Sequence, residues 1–322
     1  MEIRGLIPAT LTPFTRDNQV DLPALAGHLQ RVAAASGLFG VAVNGHAGEV
    51  LALSSEERES IVRTAREALP HLKLIAGVES HSIDGLVREG LRARQAGADL
   101  LLVIPPFDIR VFRHLAHDVQ ASFSVFERLE REVGLPMIVF QYPEVSGCAY
   151  SIDALRRIVE LPSVVAIKAS AGSPTKYAEL HDALGHRVEL LAASDAPSLL
   201  GMLLHNAPGA LIGISVVGTQ QWSDLVREAT FGSAQRAKEL HNGFAVPLMR
   251  AIFEYHLHRT PTCPFGATKE ALVQLGEFPS AWVRPPGVNV DQAKGGEIRT
   301  ALLQVDLLEE QNGEGARRAV AV

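Results

Sequence analysis

Eight short apolar runs, separated by stretches with helical periodicity, constrain this chain more than any other feature. The runs fall at residues 5–12, 37–44, 72–78, 98–104, 136–142, 164–168, 188–193 and 210–215. Each is too short for a typical helix and is bounded by turn residues, so each reads as a strand buried on both faces. Between them lie helix-like stretches at 58–69, 83–95, 111–133, 152–159 and 175–184. The first of these is opened by Ser54-Ser55-Glu56-Glu57, with Ser54 and Glu57 at capping-box spacing. A strand followed by a helix, eight times over, is what a closed (β/α)8 TIM barrel requires. The rival, an open doubly wound sheet, has fewer units and a phosphate-binding glycine fingerprint. No Gly-x-Gly-x-x-Gly follows the first run.

The barrel is expected to occupy residues 1–232. From residue 233 the alternation stops and helical patterns at 234–253, 267–275 and 291–308 take over, punctuated by Pro261, Pro264, Pro279, Pro285 and Pro286. These residues, 233–312, read as a small C-terminal helical domain, and 313–322 as a loose tail.

At 322 residues the chain can bury a large core, and 47% apolar with 20% charged residues is ordinary for a globular protein. A net charge of −6 without a basic stripe argues against a nucleic-acid partner. No apolar run reaches the roughly 18 residues of a membrane helix. Met1-Glu2-Ile3-Arg4-Gly5 lacks the charged-then-apolar pattern of a signal peptide. Cys148 and Cys263 are too few and too isolated for a disulfide framework or a zinc site. A cytoplasmic location is the expectation.

The sixth run, Val164-Val165-Ala166-Ile167-Lys168, ends in a lysine. In a barrel, active residues sit at the C-terminal ends of strands. An ammonium held against apolar walls loses solvation, its pKa falls, and the neutral amine can attack a carbonyl. Lys168 is therefore a candidate imine-forming nucleophile. The alternative is a lysine that leaves the barrel rim and carries its charge to solvent.

Gly5-x-x-Pro8-Ala9-x-x-Thr12-Pro13-Phe14, together with Gly45-His46-Ala47-Gly48-Glu49 after the second run, resembles the dihydrodipicolinate synthase / N-acetylneuraminate lyase family. The resemblance reaches to about residue 280. It includes Ala76-Gly77, Pro105, Pro143 with Ser146-Gly147, Ile167-Lys168, Asp195 and Gly209. It implies a class I lyase acting on a 2-oxo acid such as pyruvate, through a covalent imine on Lys168 and without a further cofactor. It also implies a homotetramer or dimer.

The departures from the family pattern matter as much. The two threonines of the family's Gly-Thr-Thr-Gly-Glu loop are replaced by His46 and Ala47. The loop amides at Gly45, Ala47 and Gly48 could still hold a carboxylate. The tyrosine of the fifth-strand motif aligns with Phe140 in Phe140-Gln141-Tyr142-Pro143, and the one lent to a neighbouring subunit aligns with Pro106-Phe107. The family synthases' arginine is replaced by Val145, which argues against a lysine-biosynthesis synthase.

Imine chemistry still needs a proton shuttle. His46 is the natural substitute, unless it only bonds loop backbone. Tyr142 points the same way as Phe140 by strand alternation and could restore a phenol, whereas Gln141 faces away. Glu79 and His81 read either as substrate contacts or as a rim ion pair. Asp195 either orients substrate and lysine or caps a helix near Pro197. Ser170, Gly213 and Ser215 are further substrate-contact candidates, and Phe107 with Phe140 would favour an apolar substrate end. Glu49 reads as a loop brace. His28, His114, His117 and His181 fall on helical stretches and read as surface residues. Two other functions remain open: a divalent-metal lyase using His46, Glu79 and His81 with Glu49, and a non-catalytic 2-oxo acid sensor.

Overall fold

The computed structural model describes residues 1–253 and 264–309. Its strands are β1 (Gly5–Pro8), β2 (Gly40–Val43), β3 (Lys73–Val78), β4 (Leu100–Val103), β5 (Met137–Gln141), β6 (Val164–Ala169), β7 (Glu189–Ala192) and β8 (Gly209–Ile212). All pair in parallel, in the order β1-β8-β7-β6-β5-β4-β3-β2. The ring closes where Phe39 N–H donates to Leu6 O at 3.0 Å and Ala9 pairs with Ala42. This is a (β/α)8 barrel. Strands packed on both faces read as continuous apolar runs, which is why all eight were visible in the sequence. At the β1/β8 seam a Cβ on Gly209 would lie 2.1 Å from Gly5 O, so the two strands meet only because glycine stands there.

The barrel helices are α1 (Leu22–Ala33), α2 (Ser55–Ala68), α3 (Ile83–Gln95), α4 (Val119–Glu132), α5 (Ile152–Ile158), α6 (Pro174–Leu184), α7 (Leu199–Leu204) and α8 (Thr219–Phe231). A short polar residue starts most of them. Asp21, Ser54, Ser82, Asp118, Ser151 and Ser173 each accept a backbone N–H of the first turn, and Ser54 with Glu57 forms the full capping box. Each such cap contributes about 1 kcal/mol and fixes where the preceding loop must end.

The expected first run, residues 5–12, is a strand only to Pro8. Beyond it Thr10 and Thr12 turn to serve the next loop: Thr10 Oγ1 donates to Ala42 O at 3.0 Å and Thr12 Oγ1 to Gly48 O at 2.8 Å. His28 is not a surface residue. It lies in the buried stripe of α1 with Leu25, Leu29 and Val32, edge-on to Phe278 at 4.9 Å. Burial and then the Arg31 charge lower its pKa to about 3, so it is neutral.

Helices α9 (Ala234–Leu240) and α10 (Val246–Ile252) flank a π-helical turn, His241–Ala245, and are followed by α11 (Pro264–Gln274) and α12 (Gln292–Gln304). Helix α8 ends just before residue 233, and α9 begins just after it. Pro261, Cys263 and the expected tail 313–322 lie outside the described residues. Among the described residues, no helix is long and apolar enough to cross a membrane.

Candidate active site

Strand β6 delivers Lys168 to the C-terminal mouth of the barrel, into a cavity of about 330 Å3. Its Nζ sits 3.6 Å from the centroid of the Phe140 ring, which projects from the neighbouring β5 at the same level of the sheet. Loss of solvation lowers the lysine's pKa to about 8, against the opposing pull of the Asp195 carboxylate. About a tenth of the side chain is then neutral amine at pH 7.

The β2–α2 loop forms the facing wall. Asn44 adopts a left-handed conformation (φ 54°) and its Nδ2 donates to Arg58 O at 2.9 Å. The loop can pass so close to β3 because Gly77 has no side chain; a Cβ there would lie 2.0 Å from Asn44 O. Gly45, His46 and Ala47 line the cavity, while the Gly48 carbonyl is held from behind by Thr12. Glu49, also left-handed (φ 55°), turns outward to a short ion pair with the fully buried Lys269 and accepts Arg284 N–H at 3.3 Å. Lys269 and Arg284 each lie 4.5 Å from the Phe14 ring centroid. Glu49 thus braces the loop against the C-terminal helices.

His46 Nε2 lies 2.6 Å from the Tyr142 hydroxyl, and the His46, Phe140 and Tyr142 rings form a compact triad with centroids 4.6–5.4 Å apart. Burial, then the Lys168 charge, lowers the His46 pKa to about 4, so the imidazole is neutral. Burial, assisted by Asp108, pushes the Tyr142 phenol far above its ordinary value. With both groups neutral, one proton is shared across this contact, and the tautomer of His46 decides which partner donates it. Tyr142 itself does not border the Lys168 cavity; it stands behind His46 and faces a separate pocket with Pro143, Tyr150 and Lys176. Gln141 clamps the Tyr150 backbone, donating to its carbonyl at 3.0 Å and accepting from its N–H at 3.1 Å.

Asp195 closes the third side. The helix near Pro197 is not what it caps: α7 starts after Ser198, with no side-chain cap. Asp195 Oδ1 accepts instead from Gly213 N and Ile214 N, each at 2.9 Å. Burial raises its pKa, opposed by those bonds and by Lys168. Ser170 and Gly213 line the same cavity, joined by Leu102, Leu211, Phe253 and Phe265. The two phenylalanines flank residues 254–263 and give no periodic signal tying them to the barrel mouth.

Four further site candidates lie outside the Lys168 cavity. Glu79 is drawn out of the mouth by Arg58 of α2, whose Nη2 is 3.2 Å from Glu79 Oε2 and whose Nη1 donates to Glu79 O at 3.1 Å. His81, half exposed, only approaches Glu79 at 3.7 Å. Phe107 packs on Tyr150, with ring centroids 6.3 Å apart. Ser215 is buried, with its hydroxyl donating to Ile212 O at 2.8 Å. Nor do His46, Glu79 and His81 converge as metal ligands. Among the described residues the one metal-type group is His181, Asp182 and His205, on the outer helices.

The dihydrodipicolinate synthetase family model matches residues 2–305. The chain belongs to this family. It is therefore a lyase of the aldolase type. It is 28% identical over 317 residues to a 4-hydroxy-tetrahydrodipicolinate synthase of Anaplasma marginale, covering 97% of this chain and 98% of that one. A DapA-like lyase of Pyrobaculum islandicum, uncharacterized, is 29% identical over 254 residues, or 78% of this chain and 80% of the other. Among solved structures, the synthase of Methylacidiphilum fumariolicum SolV superposes with a TM-score of 0.82 at 25% identity, covering 94% and 96% of the two chains. YagE of E. coli K12, solved in complex with pyruvate, also gives 0.82, at 23% identity, over 95% and 99%.

Proposed function

We propose that this lyase forms an imine between Lys168 and a 2-oxo acid and cleaves or eliminates at the carbon chain beyond it. The observation that carries the reading is a lysine with a pKa lowered to about 8, in one cavity with a neutral histidine. The neutral amine attacks the C2 carbonyl, giving a carbinolamine. Loss of water then gives the imine, which accepts the electron pair of the breaking bond as an enamine. His46 is the group in the cavity that takes up and returns protons, and Tyr142 orients it and can pass a proton onward. Once Lys168 is bound as a carbinolamine its charge is gone. One of the two causes holding His46 down is then removed, and its basicity rises when a base is needed. The amides of Gly45, Ala47 and Gly48 are the proposed carboxylate seat.

A true synthase is not the favoured reading, although relatives carry that name. Val145 stands where the family synthases have an arginine, and this residue is 93% exposed. The far wall, with Leu102, Phe140, Leu211, Phe253 and Phe265, suits an apolar substrate end. The apolar side chains Leu51, Val111 and Val145 are exposed at this same end, on loops after β2, β4 and β5, which supports self-association through the barrel mouth. Light scattering reading a monomer at all concentrations would overturn that part.

The experiment is borohydride reduction with pyruvate and a panel of 2-oxo acids bearing apolar, hydroxylated or anionic ends, followed by intact mass. Strongest trapping of acids with apolar ends is expected. Equal trapping of dicarboxylates would overturn the substrate preference. No adduct with any acid, in folded protein, would favour the sensor reading.

A further inference from the structure

On the outer layer, α6 and the residue that follows α7 bring His181, Asp182 and His205 together. One ligand atom from each lies within 4.8 Å of the others. We infer that these three side chains bind a divalent transition-metal ion of the zinc type, which clips α6 to α7.

Several observations favour an ion here over a chance meeting of surface residues. Both histidines are half-buried, and their rings are edge to face with centroids 5.3 Å apart. Tyr177 backs both, at 6.4 Å from His181 and 6.2 Å from His205, and is itself fixed by donating to Leu190 O at 2.6 Å. The His181 imidazole lies against Gly185, where a Cβ would come within 2.9 Å of its Cδ2 and 3.0 Å of its Nε2. A side chain at 185 would crowd both the His181 carbonyl and this ring, so glycine lets the imidazole keep its place. None of the three side chains has a hydrogen bond or ion pair with another described residue, so no internal partner competes with a metal.

Two imidazoles and a carboxylate match the ligand preference of Zn2+ and its neighbours rather than Ca2+ or Mg2+, which take oxygen sets. Ligand bonds of about 2.0–2.1 Å put tetrahedral donors about 3.4 Å apart, so side-chain rotation must bring the three donors closer by about 1.4 Å at most. The fourth position would be taken by water. Helix α6 ends at Leu184, so its negative C-terminal carbonyls also favour a cation there. Both positions precede the starts of β7 and β8, at the barrel end opposite Lys168, so the ion's role is structural rather than catalytic.

The test uses the full chain, freed of any affinity tag and stripped with a chelator, titrated with zinc chloride against a chromophoric zinc indicator. One zinc per chain is expected at micromolar affinity, together with a rise in melting temperature. In His205→Gln, and separately in His181→Gln, affinity should fall by more than about tenfold, since even a residue behind a metal ligand contributes that much. The temperature rise should vanish in both. Borohydride trapping at Lys168 should be unchanged in each variant, which also reports that the barrel is folded. Exposed Asp182→Asn serves as a third variant should either histidine change prevent folding. Zinc binding equal to wild type in the folded variants, or no binding at up to about a hundred micromolar zinc, would overturn the site.

Discussion

The loops after β2 and β3 carry the same two residue types within a few positions, His46 with Glu49 and Glu79 with His81, yet they have opposite fates. In the first, the carboxylate is drawn out to a buried lysine and the imidazole is left in the cavity, desolvated and neutral. In the second, the carboxylate is drawn out by Arg58 and the histidine follows it to the rim, 48% exposed. Arg58 takes part in both, because its Nη2 also donates to Val50 O at 2.9 Å. Residue type did not decide which histidine faces Lys168. The direction in which each loop is pulled by a cation on another element did.

Replacing the two histidines in turn should break this symmetry most sharply. His46→Asn is expected to slow turnover of a trapped 2-oxo acid by about 10²–10⁴-fold, the usual contribution of a positioned proton-transfer group. His81→Asn should change it by less than about threefold. Equal effects on kcat would show that His46 is not the proton-transfer group.

The carboxylates should differ in stability. Glu49→Gln removes the charge that faces Lys269 in a fully buried place, where the lysine keeps its bond to Trp282 O at 2.9 Å, and about 3–5 kcal/mol is expected from breaking such a pair. Glu79→Gln leaves Arg58 with its bonds to Val50 O and to the Glu79 carbonyl, so about 1–2 kcal/mol is expected. Urea unfolding at neutral pH reads both.

Tyr142→Phe sharpens the first loop's role at smaller scale. It removes the 2.6 Å bond that orients the His46 ring while keeping the phenyl ring packed on Phe140. A drop of roughly tenfold in kcat is expected with KM little changed, as for loss of an orienting hydrogen bond of about 1.4 kcal/mol. A rise in KM alone would instead make Tyr142 a substrate contact.

The barrel was legible because parallel strands buried on both faces write unbroken apolar runs. Helix α7 was not: its six residues, Leu199–Leu204, are apolar all round and lack a side-chain cap. Lys168 could be picked out from local sequence, since the end of a buried strand is a desolvated place whatever the rest of the fold does. His46 facing the cavity, and Tyr142 meeting it from 96 residues away, depend on a tertiary contact that no local pattern encodes. Phe107 was misplaced, and Glu79 and His81 stayed open between substrate contact and rim ion pair, because sequence locates a loop at the mouth but not the direction its side chains take. His28 was a missed opportunity. Its spacing with Leu25, Leu29 and Val32 already marks the buried stripe of α1.

Everything proposed for this site depends on Lys168 being an imine-forming amine with its pKa lowered by burial. The most direct measurement is the rate of borohydride-trapped pyruvate adduct formation against pH, with peptide mapping of the product. Modification of the Lys168 peptide alone is expected, absent in folded Lys168→Ala. The rate should rise about tenfold per pH unit and level above about 8, because the neutral amine fraction does. An adduct on other lysines only, or a rate still climbing through pH 10 as for an ordinary exposed amine, would contradict it.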